Sequence, residues 1–369
     1  MKLYFKKIDI FNKSRLSISV LTMISIGSLF SCTSGSPFYL VKQGFGQAKI
    51  LLSRVSVDQV IEESNNADAE NRLNQEQIDK LLFMKQIRQF AKDRWQLKDT
   101  DSFQSYVKIE GDSVSYLVMA APPFKLESKQ WWFPIVGDVP YLGFFKIEDA
   151  NNFENYLKQQ GYDTYRSTAS AYSTLGWFSD PIFSSQLNYS KLYLCGLVVH
   201  EMVHSTIWVK GYPEFNEAIA SFIEDRASEI YFQEIEGKSS AVIQRWHLYN
   251  REIKKLNQII DKYQVQLKNL YQSTISNQEK RTEKENIFNS LKEDLRSQQS
   301  QFQIINTFDL ARQEWNNARL TSRSVYRSDW PQFDQLFDKC NQDLNCFIKA
   351  YLLLSENLNQ NQQYFVRGD

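Results

Sequence analysis

Histidine is nearly missing from this chain: there are three in 369 residues. A charge surplus is missing as well, with 43 basic and 43 acidic side chains. Without a basic surplus or a basic stripe there is no electrostatic footprint for nucleic acid. No internal repeat is visible, which sets repeat architectures aside. Glycine and proline number only 13 and 8, and neither occurs from Lys238 to Ser300. What is present is 42% hydrophobic, 14% aromatic and 23% charged, the composition of a globular chain rather than a disordered one.

The first 31 residues read as a targeting segment and not as part of the fold. "MKLYFKKIDIFNKSR" carries five basic residues and one acid, and "LSISVLTMISIGSLF" follows it. That apolar run has the length of a signal-peptide core and is short for a membrane span. It ends in Leu29-Phe30-Ser31-Cys32, which resembles a bacterial lipobox. Cleavage before Cys32 would leave a lipidated N-terminus, an exported chain and a cell-envelope location, outer membrane or periplasmic face rather than inner. Export bears on the other cysteines. Cys195 lies in an apolar helical stretch and reads as a buried thiol. Cys340 and Cys346 can close a local disulfide if a turn separates them, but not if one helix carries both.

Periodicity predicts a mostly helical α+β protein. Apolar residues at helical spacing mark helices over 36–54 and 74–95. "SYVKIEGDSVSYLVMAAP" alternates about Gly111-Asp112 and predicts a hairpin. Strands are also expected in "WWFPIVGDVPYLGFFKI" and in the β-rich run that ends at Pro181, giving a small antiparallel sheet. A helix over 187–210 closed by Gly211, and another from Pro213 to before Gly237, come next. Residues 240–300 keep apolar side chains three and four apart and predict a long helical hairpin or coiled-coil arm. Helices return from Thr307, broken at Trp330-Pro331. The expected layout is a signal segment over 1–31, a main region over 32–238 with N-terminal helices and the small sheet, the arm over 239–306 and C-terminal helices over 307–369 that pack on the main region.

Two of the three histidines stand four apart in "VVHEMVHSTIW". On a helix, His200 and His204 share a face and can aim two imidazole nitrogens at one point, the requirement for two ligands of tetrahedral Zn²⁺. Glu201 lies at the edge of the same face, where a carboxylate can take a proton from the attacking water. A third protein ligand is needed. The remaining histidine, His247, lies on the predicted arm. On the helix after Pro213, Glu217, Ser221 and Glu224 share a face, so either glutamate can reach the metal while the other holds an imidazole N–H.

At these residues the chain resembles known proteins. "HEMVH" followed by "NEAIA" is similar to the gluzincin metallopeptidases, in which an Asn-Glu-Ala segment supplies the third ligand. Twelve residues separate His204 from Glu217, a shorter gap than in thermolysin-like enzymes. Those enzymes carry an Asp four residues after the glutamate ligand; here that position is Ser221, and Glu224 is the alternative partner. A closer resemblance is to a bacterial family of exported lipoproteins named as aminopeptidases. It rests on "FYLVKQGFGQAKILLSR", "FPIVGDVPYLGFF", "AYSTLGWFSDPI", "HEMVHSTIWVKGYPEFNEAIASFIE" and "NNARL", in that order.

The resemblance implies a zincin-like core with one Zn²⁺ on His200, His204 and Glu217, Glu201 as general base, and a peptide substrate. In zincins an edge strand before the metal helix pairs with extended peptide. That position falls at Tyr172 to Phe178, with Ser173, Thr174, Leu175 and Gly176 as the substrate-binding candidates; the alternative is core packing by Tyr172, Leu175 and Trp177. Tyr172, Tyr326, Asn317 and Arg319 are candidate donors to the tetrahedral oxyanion, and each could equally pack or cap a helix. The Gly-x-Met-Glu-Asn pattern that anchors a substrate amine in one large class of zinc aminopeptidases is absent, so "aminopeptidase" comes from the family's name. The alternative is an envelope lipoprotein that binds a partner, or dimerises, through the 240–300 arm, with a structural or vestigial zinc site.

Overall fold

The helix that carries both histidines is α5 (Lys191–Thr206), and its sequence explains why it forms the centre of the molecule. Ser190 caps it by accepting from the Tyr193 N–H. Leu194, Cys195, Leu197, Val198, Val199, Met202 and Val203 are all buried, on more than one face. A helix that is apolar nearly all round is stable only inside a core. The computed structural model describes residues 39–66, 72–99, 101–109, 111, 113–133, 137–169, 179–209, 212–324 and 330–361.

Among the described residues, four α-helices precede α5: α1 (Tyr39–Leu52), α2 (Val57–Glu63), α3 (Gln75–Trp95) and α4 (Ile147–Gln159). α3 opens with a reciprocal cap between Asn74 and Gln77. It buries Leu81, Met84, Ile87 and Trp95 in the same cluster as the inner residues of α5. α6 (Pro213–Glu236) starts with proline in its first turn and stops at Gly237, whose φ of 84° few other residues tolerate. α11 (Pro331–Lys339) and α12 (Leu344–Asn361) pack aromatic side chains on α6, Phe222 meeting Phe347 at 4.8 Å between ring centroids. Between these two helices Asn341 and Gln342 take positive φ, and the turn they make lets Cys340 and Cys346 form a disulfide.

The other helices close a separate cluster. α7 (Ala241–Gln272) and α8 (Asn277–Ser297) form a hairpin whose apolar stripes meet. The cluster includes Leu256, Ile260, Leu267, Phe288 and Leu291. α9 (Thr307–Arg312) and α10 (Asn317–Ser324) complete it with Ala311, Trp315 and Leu320. The hairpin is therefore packed along its length, not a bare arm.

Among the described residues, the strands form three small sheets and not one. β1 (Val55–Ser56), β2 (Ser105–Val107) and β8 (Ile182–Phe183) make the first, with β2 and β8 parallel. β3 (Ser115–Ala121) lies between β6 (Leu142–Phe144) and β7 (Asp163–Ala169), antiparallel to both. β4 (Trp131–Phe133) and β5 (Gly137–Val139) pair alone. The hairpin expected about Gly111 does not form. β2 and β3 flank it, but each finds its partners elsewhere, because Tyr106 and Val107 are buried against β8 while Val118 and Ala120 are buried against α4. Gly111, at φ 88°, turns the chain from one sheet to the next. Two helix bounds also move. Leu187 falls in a 3₁₀ turn (Ser184–Asn188), and α5 ends at Thr206, short of residue 210. Gly211 lies outside the described residues. Among the described residues, no helix is long and apolar enough to cross a membrane.

Candidate metal centre

α5 and α6 lie against each other along two stripes. On α5 the stripe is Gly196, His200 and His204, each four residues from the next. On α6 it is Glu217 and Glu224. Glu217, near the start of α6, meets His204 near the end of α5, and Glu224 meets Gly196, so the helices run antiparallel. The link between them is held by Asn216. It is 1% exposed, its Oδ1 accepts from Val209 N at 2.9 Å and its Nδ2 donates to Val209 O at 2.9 Å. With Asn216, in the first turn of α6, joined to Val209 in this way, the next residue, Glu217, is set toward α5.

Three ligand atoms converge. His200 Nε2 and His204 Nε2 are 3.0 Å apart. Glu217 lies 3.4 Å from the first through Oε2 and 3.3 Å from the second through Oε1. Zinc bonds of about 2.0–2.1 Å in a tetrahedron place ligand atoms about 3.3–3.4 Å apart. The two imidazole–carboxylate distances match that figure, one through each oxygen of Glu217, the imidazole–imidazole distance is about 0.3 Å shorter, and these three residues form a group able to hold a metal ion.

The tautomers fit too. His200 Nδ1 meets Glu224 Oε2 at 3.0 Å, so a proton on Nδ1 is held there and Nε2 is the nitrogen that would turn to a metal once its own proton is displaced. Nδ1 of His204 is buried with no hydrogen-bond partner. The Trp208 ring stands edge-on to the His204 ring at 5.7 Å. Burial disfavours charge on His200, but Glu217, Glu224 and Glu201 outweigh it and push its pKa up to about 10. Burial would also raise Glu217, yet its bonds to the two imidazoles hold it well below the usual carboxylate range. Two neutral or cationic rings against one carboxylate are an environment that a divalent cation satisfies by displacing protons. Glu201 is raised by burial, with the two imidazoles opposing.

Of the two α6 residues considered beside the imidazoles, it is Glu224 that makes the bond; Ser221 is exposed. Gly196 makes room for it. A Cβ there would overlap Glu224 Oε1 and lie 3.0 Å from its Cγ. Gly196 and Asn216 had no role in the sequence reading. The available signals were a glycine inside an apolar helix, four residues before His200, and an amide directly before the candidate ligand. His247 stays apart, 3.4 Å from Glu229.

The remaining candidates are elsewhere. Asn317 accepts from Tyr271 Oη through Oδ1 and donates to the carbonyls of Pro122, Pro123 and Lys125 through Nδ2. With its amide committed at both ends, Asn317 fastens the 122–125 loop and has no free donor for an oxyanion. Arg319 lies over the rings of Tyr165 and Trp315, at 4.9 and 5.1 Å. Tyr172, Ser173, Thr174, Leu175, Gly176, Tyr326 and Cys32 lie outside the described residues.

Compared with known proteins, the chain matches the family model described as "Putative aminopeptidase" over residues 38–365. No curated protein and no solved structure gives a significant match.

Proposed function

The chain belongs to the putative aminopeptidase family, and we propose that it is a zinc-dependent metallopeptidase with a gluzincin-type, zincin-like site. One observation carries this reading: His200, His204 and Glu217 from two neighbouring helices bring ligand atoms together within reach of one metal ion, with Glu201 close enough to interact with both imidazoles. In this reading those three residues hold one Zn²⁺, and Glu224 fixes the tautomer and orientation of His200. A bound zinc ion supplies Lewis acidity toward the attacking water and the scissile carbonyl. Glu201 takes the proton of that water and delivers it to the leaving amine. The substrate is a peptide. Removal of N-terminal residues is the activity the family's name supplies. Export and a lipid at Cys32 put the enzyme on the cell envelope, on the outer-membrane or periplasmic side.

Zinc per chain and peptide hydrolysis test this together. The parent is expected to hold one zinc and to cleave peptides from a library. Glu201→Gln should keep the metal and lose at least about a hundredfold in kcat, the scale of a missing general base. Glu217→Ala should lose the metal. A folded parent that takes up no zinc after reconstitution would end the proposal.

A further inference from the structure

α1 has two faces, and only one of them is used. Tyr39, Gln43, Gly46 and Ile50 recur at helical spacing and lie against the protein. Tyr39 Oη and Gln43 Nε2 both donate to the Gly143 carbonyl, at 3.0 and 2.8 Å. At Gly46 an added Cβ would overlap the Phe145 ring, so the backbone itself rests there. Ile50 is buried with Val107, Val114 and Phe183. The opposite face carries Phe45, Ala48 and Leu52, also at helical spacing. Phe45 is 72% exposed and Leu52 88%, the most of any large apolar side chains among the described residues. Ala48 is exposed and nothing comes within 4 Å of a Cβ placed on Gly44.

The chain before α1 says what covers this face. The apolar run over 16–30 and Cys32 come just ahead of it. From Cys32 to Tyr39 the chain spans at most about 25 Å when fully extended. If the chain is anchored at Cys32, as proposed above, α1 cannot leave the neighbourhood of the bilayer. A helix of 14 residues, about 21 Å long, with phenylalanine and leucine along one exposed stripe is suited to the boundary of headgroups and acyl chains. We propose that α1 lies in the membrane surface, with Phe45, Ala48 and Leu52 inserted. It would act as a second contact that fixes how the rest of the molecule, α5 and α6 included, stands on the bilayer. This rests on the anchoring reading but not on the zinc site.

The full chain, produced with its lipid and reconstituted in phosphatidylethanolamine–phosphatidylglycerol vesicles, tests it. An environment-sensitive dye is placed on Phe45→Cys, Leu52→Cys or, as a control on the first turn of α8, Gln278→Cys. Cys195 is buried, and Cys340 and Cys346 are bonded to each other, so these do not compete for the label. The chain should float with the vesicles. Lipid-borne quenchers should suppress the dye severalfold more at 45 and 52 than at 278. Adding Phe45→Asp and Leu52→Asp to a dye on Ala48→Cys should abolish that quenching while flotation persists. Flotation with dyes at 45 and 52 as water-exposed as at 278 overturns the inference and leaves the anchor standing. Failure to float overturns both. A dye response that needs no lipid and rises with protein concentration assigns the face to a second copy of the chain and overturns the membrane contact.

Discussion

Gly196 is the position where a single atom decides most. Glycine inside a helix costs roughly 0.5–1 kcal/mol relative to alanine, so Gly196→Ala should by helix propensity stabilise the chain. Here the added methyl overlaps the Glu224 carboxylate, the flexible end of a side chain that can swing away. Folding should therefore be little affected, while His200 loses the partner that sets its ring. The expected result is a zinc affinity about 10- to 100-fold weaker, the usual scale for loss of such a partner, with the zinc-free melting temperature unchanged or higher. Glu224→Ala should weaken zinc similarly, and the two changes together should cost little more than either alone, because they break one contact. Competition with a chelator of known affinity reads all three variants. Undiminished affinity in Gly196→Ala would show that the contact does not orient the ligand.

At the scale of elements, the α7–α8 hairpin is tied down by two polar contacts. Lys284 Nζ lies 2.6 Å from Asp163 Oδ2 and donates to the Pro123 carbonyl at 2.9 Å. Its side chain is 12% exposed and that of Asp163 18%. Without the lysine, Asp163 Oδ2 still accepts from Asn317 N–H at 2.8 Å but loses its counter-charge, so Lys284→Met should cost about 1–3 kcal/mol, measured as a shift in urea midpoint. A second contact anchors the far end. Glu252, 3% exposed, accepts from the backbone N–H groups of Gln303, Ile304 and Ile305. Burial alone would raise its pKa, but these three donors hold it below the usual glutamate value. Its contribution is then complete above about pH 4.3 and is lost as pH falls further, since only the native state resists protonation. Glu252→Gln should destabilise by about 1–3 kcal/mol at pH 7, and the gap to the parent should narrow as pH falls below the usual glutamate range. A gap that stays constant would mean that the charge does not matter.

For the whole molecule, the site and the core share the same helices. Residues of α3, α5, α6, α11 and α12 pack into one cluster that surrounds the histidine stripe. Metal bound between α5 and α6 in this way stabilises only the folded chain. At zinc a thousandfold above its dissociation constant the gain is about 4 kcal/mol. Chelation should lower the melting temperature of the parent and zinc should restore it, while Glu217→Ala should show neither response. Calorimetry with and without chelator makes the comparison. An identical melting temperature in both would argue against a site that links these helices.

How much of this was legible in the sequence depends on the distance between the residues involved. His200, Glu201 and His204 are within one turn and a half, and helix geometry alone aims both imidazoles the same way. The proline start and glycine stop of α6 and the stripes of α7 and α8 are local in the same sense. Strand pairing is not local. β2 and β3 look alike across Gly111, but β2 joins β8 from 75 residues further on, which no pattern of alternation encodes. The choice between Ser221 and Glu224 also needed two helices in contact: position along α6 places both on the right face, and only the depth of the groove at Gly196 admits the longer side chain. The sequence by itself determined which residues could share a face; packing decided which faces met, because contact between distant segments is set by the shapes that fill the core.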